Sequence, residues 1–295
     1  MTEQTILPAG SPPRQVPSDI PFFTALIAIG GFYLLLIGGM LGAMGSFSTV
    51  EHFQRALASE EIRYSIRLSL ISCTLTTILS LWVAVPIGYL MSRYGFWGKH
   101  VIDAMLDIPI VLPPLVIGLA LLIMFQLPLW HDAPIAPGVA AEAWTLERIL
   151  ADKLSFPVTF AIPAVVLAQF MVACAFAVRT MRVTFDQIDP RHEQVALTLG
   201  CNRSDAFRTV VLPEARRGMV TAATLAWARS LGEFGPILVF AGATRMRTEV
   251  LPTTVFLEMS IGNIEAAVSV SLIMVIAAVC VLILARVFGL RRPLG

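Results

Sequence analysis

Apolar residues gather in long runs along this chain, and polar residues are confined to the gaps between them. Six runs are long enough to cross a bilayer as helices, which takes about 20 residues. They cover approximately 20–44, 68–91, 101–125, 156–178, 218–241 and 266–288. One gap stands out. The segment DPRHEQVALTLGCNRSDAFRTVVLPEARRG, residues 189–218, is rich in charge yet lies between two oily runs.

The first run exceeds the 7–15 residues of a signal-peptide core. It follows a Pro-rich head whose one basic residue is Arg14. It therefore reads as an uncleaved first span after a short disordered tail, 1–19. The third run is bent by Pro109, Pro113 and Pro114. The gap at 127–155 holds Pro128, Pro134 and Pro137 and then a predicted short helix over 142–154. It is either a solvated cap over the bundle or a docking surface for an external partner.

Composition agrees with the pattern. Of 295 residues, 57% are hydrophobic and 14% are charged, where soluble domains carry about 25% charge. Mean hydropathy is +0.79. The expected fold class is all-α: a polytopic membrane bundle of six transmembrane helices with one cytoplasmic hairpin of short helices. A net charge of +1 gives no general field for nucleic acid. Cys73, Cys174, Cys201 and Cys280 lack metal-ligand spacing and read as small apolar residues. His52, His100, His131 and His192 are scattered, and no chemistry is assigned to them.

Lys and Arg set the orientation. With the N-terminus inside, thirteen of them fall on the inner side, seven between Arg179 and Arg217, against seven on the outer side. Both termini and the polar segment are then cytoplasmic, in a multi-pass protein of the cytoplasmic membrane. The boundaries expected are 20–61 for the first span and its external loop, 62–290 for the main transmembrane domain, and 291–295 for a tail.

Asp189 followed by Pro190 is a helix start, a capping oxygen and then proline at the first helical position. Gly200 ends that helix in a left-handed turn. Asn202 caps a second helix, with Asp205 at the reciprocal position, running until Pro213 approaches. Val195, Ala196 and Leu199 form one apolar stripe, and Ala206, Phe207, Val210 and Val211 another. Such a hairpin suits insertion into a groove of another protein. A DNA-binding helix-turn-helix is disfavoured by the membrane tether at both ends. An amphipathic loop resting on the membrane is the plainer alternative.

The segment resembles the EAA loop of ABC importer permeases, with Glu193-Gln194-Val195-Ala196, then Gly200, then Val210-Val211-Leu212-Pro213. Glu193 stands one place early and Val195 replaces an alanine. LDIPIVLPPLVIGLALLI, 106–123, and ARSLGEFGPILVFAGATRMRTEVLP, 228–252, resemble the molybdate, tungstate and sulfate permeases of the type I class. The resemblance covers about 62–290. It implies a membrane subunit that pairs with a second copy of itself and docks ABC ATPase subunits. It also implies a soluble binding protein that delivers a tetrahedral oxyanion. Molybdate is the first expectation, with sulfate, thiosulfate or tungstate as alternatives. Coupling to the ATPase would involve Glu193, Gln194, Ala196, Gly200, Phe207, Leu212 and Pro213.

The chain has no Walker A pattern, since Gly98-Lys99-His100 lacks the Ser or Thr and the glycine spacing. It is not expected to be an enzyme, and ATP and Mg²⁺ would bind the partner ATPase. Arg229 and Glu233 lie four apart within the fifth span, where charges are costly and are paired or functional. With Ser230, Gly232, Gly235, Pro113 and Pro114 they are the candidate pathway or gate residues. The alternative is a structural ion pair. Ser69, Ser72 and Thr76 either donate to an oxyanion or bond helix carbonyls. Asp103 and Asp107 read as interfacial. A secondary carrier would show inverted repeats and more intramembrane acids. A membrane enzyme would show a nucleophile–base or metal constellation.

Overall fold

The computed structural model describes residues 19–131 and 143–290. The tail expected before residue 19, the one from 291 to 295, and Pro134, Pro137 and Glu142 lie outside these. The chain divides into two compact units, one ending at Phe47 and one beginning at Ser48. In the first, helix α1 (Ile20–Phe47) is 28 residues long and apolar on every side. That is the composition of a lipid-surrounded helix.

The second unit begins with α2 (Val50–Ala58) and α3 (Glu60–Arg93). Thr49 and Ser59 cap them, accepting from the amides of His52 and Ile62. Helix α3 packs along α7 (Ile162–Asp186), and α10 (Leu212–Leu231) packs against both. The reason is legible in side-chain size. Ser65, Ser69, Ser72, Thr76, Ser80 and Ala84 recur every three or four residues on α3, and all are buried. Ala164, Ala168, Ala173 and Ala177 face them from α7, and Ala222 and Ala226 are buried on α10. Small residues let helices approach closely where lipid removes the hydrophobic drive. The bulky Ile71, Ile78 and Trp82 point outward.

Two predicted spans are broken. The third is α4 (Lys99–Val111) and α5 (Pro114–Gln126), bent by 112° at Leu112-Pro113. Pro113 is the N-cap of α5 and Pro114 its first residue, positions where a missing amide costs nothing. The fifth is α10 and then α11 (Gly235–Phe240), interrupted at Gly232-Glu233-Phe234. Helices α1, α3, α7 and α13 (Ile264–Leu290) are each long and apolar enough to cross a membrane, and α4–α5 adds one if read as a single span. The α10–α11 pair is the remaining predicted segment, diluted in hydropathy by Arg216, Arg217 and Arg229.

An unexpected element caps the far end. Strand β1 (Pro128–His131) pairs antiparallel with β2 (Ala143–Thr145). The helix expected over 142–154 therefore starts later, as α6 (Leu146–Leu154), with Thr145 as its N-cap. Glu147 of α6 accepts from the amides of Val158 and Thr159, both at 3.0 Å, and so fixes the entry to α7.

Candidate functional site

The polar segment is a hairpin of α8 (Pro190–Thr198) and a short α9 (Arg203–Ala206). Asp189 accepts from the Arg191 amide at 2.9 Å, and Asn202 accepts from the Asp205 amide at 2.9 Å. Gly200 turns the chain with φ at 95°. Its amide donates to the Leu197 carbonyl, and that of Cys201 to the Ala196 carbonyl, each at 3.1 Å. These two bonds are the Schellman pair that closes a helix end through a left-handed residue.

The second helix departs from expectation. It does not stop before Pro213. After Ala206 the backbone enters a single π turn, 207–211, and continues into α10. The Leu212 amide bonds back to the Phe207 carbonyl, five residues away. That wider turn shifts the hydrogen-bond register, so Pro213 falls in the first turn of α10, where it needs no amide. The hairpin is thereby joined to a membrane helix without a flexible linker.

The apolar stripes also divide differently. Ala196, Ala206 and Val211 are buried, and Phe207 turns inward. Val195 and Leu199 point out, 56% and 80% exposed. Gln194 is exposed with them. Glu193 faces the bundle instead. It accepts from the Tyr89 hydroxyl and lies 3.7 Å from the Arg93 guanidinium. Arg93 also donates to the Ile188 carbonyl at 2.9 Å. The Tyr89 ring contacts Phe207, Phe185 and Tyr94 at 4.7, 5.7 and 6.2 Å between centroids. Arg203 donates to the Tyr94 hydroxyl at 2.7 Å. Thus Tyr89, Arg93 and Tyr94 at the end of α3, with Phe185 of α7, seat the hairpin on the bundle. Sequence reading missed all four, although an aromatic and basic run at the end of a span, GYLMSRYG at 88–95, was a usable signal for the first three.

The two broken spans meet at their breaks. A Cβ on Gly118 would lie 2.7 Å from Pro236 Cα, and one on Gly235 would lie 3.1 Å from Pro114 Cβ. Only glycine lets α5 and α11 approach so closely. Pro113 and Pro114 are exposed at this junction, Gly232 is exposed and Gly235 is buried. Arg229 and Glu233 pair at 2.8 Å beside it. The Glu233 side chain is buried, whereas that of Arg229 is about a third exposed and stands 5.9 Å from the Phe176 ring centre. The candidate pathway residues are therefore one neighbourhood in space.

Two of the hydroxyls bond carbonyls of their own helix and two bridge helices. Ser230 donates to the Ala226 carbonyl and Ser72 to that of Ser69. Ser69 accepts from the Leu251 amide at 2.8 Å. Thr76 donates toward the Gln169 side-chain carbonyl, and the Gln169 amide donates to the Ser230 carbonyl at 3.3 Å. Gln169 ties α3, α7 and α10 at one buried point, and a lone polar residue in an apolar run was its signal. Asp103 is more than interfacial, because it pairs with Arg182 of α7. His192 and His52 face Glu214 and Glu265. Among the described residues no group of His, Cys, Asp and Glu could hold a metal ion.

Comparison with known proteins agrees with this arrangement. The family described as binding-protein-dependent transport system inner membrane component matches residues 84–292. A probable molybdenum ABC transporter permease protein of Haloferax volcanii is 32% identical over 258 residues, covering 88% of this chain and 86% of that one. The sulfate transport system permease protein CysT of Escherichia coli is 25% identical, covering 88% and 87%. A molybdate/tungstate transport system permease protein of Pyrococcus furiosus is 30% identical, covering 74% and 76%. Among solved structures, a bacterial ABC transporter that imports alginate shares the fold at 14% identity, with a TM-score of 0.69 over 93% of this chain and 96% of that one. The chain is a multi-pass membrane protein and belongs to the family of binding-protein-dependent transport system inner membrane components.

Proposed function

We propose that this chain is the membrane subunit of an ATP-driven importer for a tetrahedral oxyanion, molybdate first and tungstate or sulfate next. One observation carries the reading. A hairpin seated on the bundle by Glu193, Tyr89 and Arg93 exposes Val195 and Leu199 at its tip. Apolar side chains at a polar tip have no use in water and suit a groove in a partner. The partner would be an ATPase subunit that binds ATP and Mg²⁺. The hairpin then lies in the cytoplasm, as the excess of Lys and Arg at that end supports. A second copy of the chain would complete the pathway, and a soluble binding protein would deliver cargo on the outer side.

The mechanism is a two-state equilibrium. ATP-driven closure of the docked subunits moves both hairpins, and the π turn and α10 carry that motion to the broken fifth span. Docking must favour one access state over the other to do this. Arg229 would help balance a divalent anion at the junction of the two breaks, because Glu233 alone would repel it. Molybdate stands first because of the permease of Haloferax volcanii, and the E. coli sulfate permease keeps sulfate as the second reading.

Uptake of radiolabelled molybdate into vesicles holding the permease, its ATPase and its binding protein tests the reading. ATP-dependent uptake that tungstate competes and excess sulfate does not would support molybdate. Competition by sulfate alone would move the cargo to sulfate. Uptake that persists without ATP and follows an ion gradient would contradict the importer reading.

A further inference from the structure

Where the hairpin meets the bundle, α7 and α10 flank an open cavity of about 520 Å³. Arg179 and Arg217 stand on its rim, with Thr180, Thr184, Gln187 and Thr221 between them. Neither arginine has a carboxylate within 4.0 Å among the described residues, in contrast to Arg93, Arg182, Arg229 and Arg245. The cavity holds one acid, Glu214, which faces His192 at 3.1 Å. Asp186 lies on the neighbouring face of α7, where Arg182 takes it up at 4.0 Å together with Asp103. The lining of this cavity thus carries two arginines against one acid, while Asp103, Asp107 and Asp186 line a separate cavity on the other side of Arg179, where Arg182 pairs with Asp103 and Asp186.

A second cavity, of 370 Å³, adjoins the first and shares Arg217 and Thr221. It runs between α10 and α13, with Arg286 at the same end and Val220, Leu225 and Leu282 along its length. A basic cup that opens into an apolar groove between membrane helices has the shape of a phosphate head and an acyl chain. Arginine suits such a head because its planar fork meets two oxygens at once.

We propose that Arg179 and Arg217, with Arg286 beside them, form a binding site for a phosphate-like oxyanion group at the hairpin end of the bundle. Two sources share that chemistry: the headgroup of an anionic phospholipid, and a free tetraoxoanion. The site does not rest on the import reading, since it is built from unpaired cations and a cavity alone. An occupant would touch Gln187 and Ile188 at the base of the hairpin and so brace its angle to α7.

The test uses the full chain in detergent, probed separately with phosphatidylglycerol, phosphatidylcholine and sodium molybdate at fixed ionic strength. Native mass spectrometry reads lipid retention, and calorimetry reads molybdate. The variants are Arg217→Gln and Arg179→Gln/Arg217→Gln, with Arg63→Gln, exposed near the opposite end of α3, as the charge control. A lipid source predicts retention of phosphatidylglycerol over phosphatidylcholine, weakened about fivefold per arginine removed. A free-ion source predicts molybdate binding lost in the same variants and kept in the control. Equal retention of both lipids with no molybdate binding, or binding unchanged in the double variant, would overturn the site. Because the readout is binding, that failure would leave ATP-dependent uptake untouched.

Discussion

Arg93 lies at one end of α3, and Arg245, from the loop before α12 (Leu251–Ser260), meets Glu61 at the other end, about 50 Å away along the helix; each gathers separate elements through carboxylates. At the hairpin end, Arg93 takes Glu193 and the Ile188 carbonyl, and the Tyr89 hydroxyl completes Glu193. At the other end, Arg245 pairs with Glu61 and, at 2.9 Å, with Glu258, which also accepts from Asn263 at 2.8 Å. A third acid, Glu249, is fully buried there, and neither of its oxygens has a hydrogen-bond partner. On the hairpin, the Glu193 carboxylate turns inward to Arg93 while Val195 and Leu199 face outside. The opposite end gathers Arg245, Glu61 and Glu258 and keeps Glu249 buried without a hydrogen-bond partner. Under the proposed function the first is gripped by another protein, whereas the second braces α3 against α12.

The largest effect that separates the two ends is expected at Gly200. A φ of 95° lies outside what proline can adopt. Gly200→Pro should abolish uptake while ATPase activity continues, and the permease should melt near the wild-type temperature because the turn is exposed. Uptake at the wild-type rate would remove the hairpin from the mechanism.

Next comes the brace. Glu258→Ala leaves Arg245 with Glu61 alone and should cost about 3 kcal/mol, the scale for removing one partner of a buried pair. Glu193→Gln keeps an acceptor for Tyr89 and should cost about 1 kcal/mol. Thermal unfolding of the two variants in one detergent checks the order. Equal losses would mean that the ends are held alike.

The smallest effect concerns Glu249. Burial pushes its pKa above the ordinary carboxylate value of 4.5, with Arg245 pulling the other way and Glu61 and Glu258 adding to the rise. The folded chain then holds this proton more tightly than the unfolded chain. Its contribution to stability must fall as pH rises above 4.5. Glu249→Gln should melt higher than wild type at pH 8, and the gap should close toward pH 4. A gap that stays constant with pH would show that Glu249 does not titrate in this range.

Much of this could be read from residue order, for physical reasons. Runs longer than a bilayer dictate helices, and Asp189-Pro190, Gly200 and Asn202 dictate the hairpin, because caps and a left-handed turn are local chemistry. The i, i+4 spacing of Arg229 and Glu233 likewise announces their contact. What escaped depends on partners far apart in the chain. Nothing near Glu193 says that its carboxylate meets Tyr89, more than a hundred residues earlier. The π turn escaped because Pro213 reads locally as a stop, and only the register of the whole α10 turns it into a start. The meeting of Pro114 with Gly235 is likewise a property of packing, although both breaks were visible singly.

The central claim is that Val195 and Leu199 form the gripped surface, and co-purification with the ATPase subunit tests it most directly. The wild-type permease should bring the ATPase through affinity purification in gentle detergent, and the Val195→Asp/Leu199→Asp variant should leave it behind while melting as wild type does. An unchanged amount of ATPase on that variant would contradict the account.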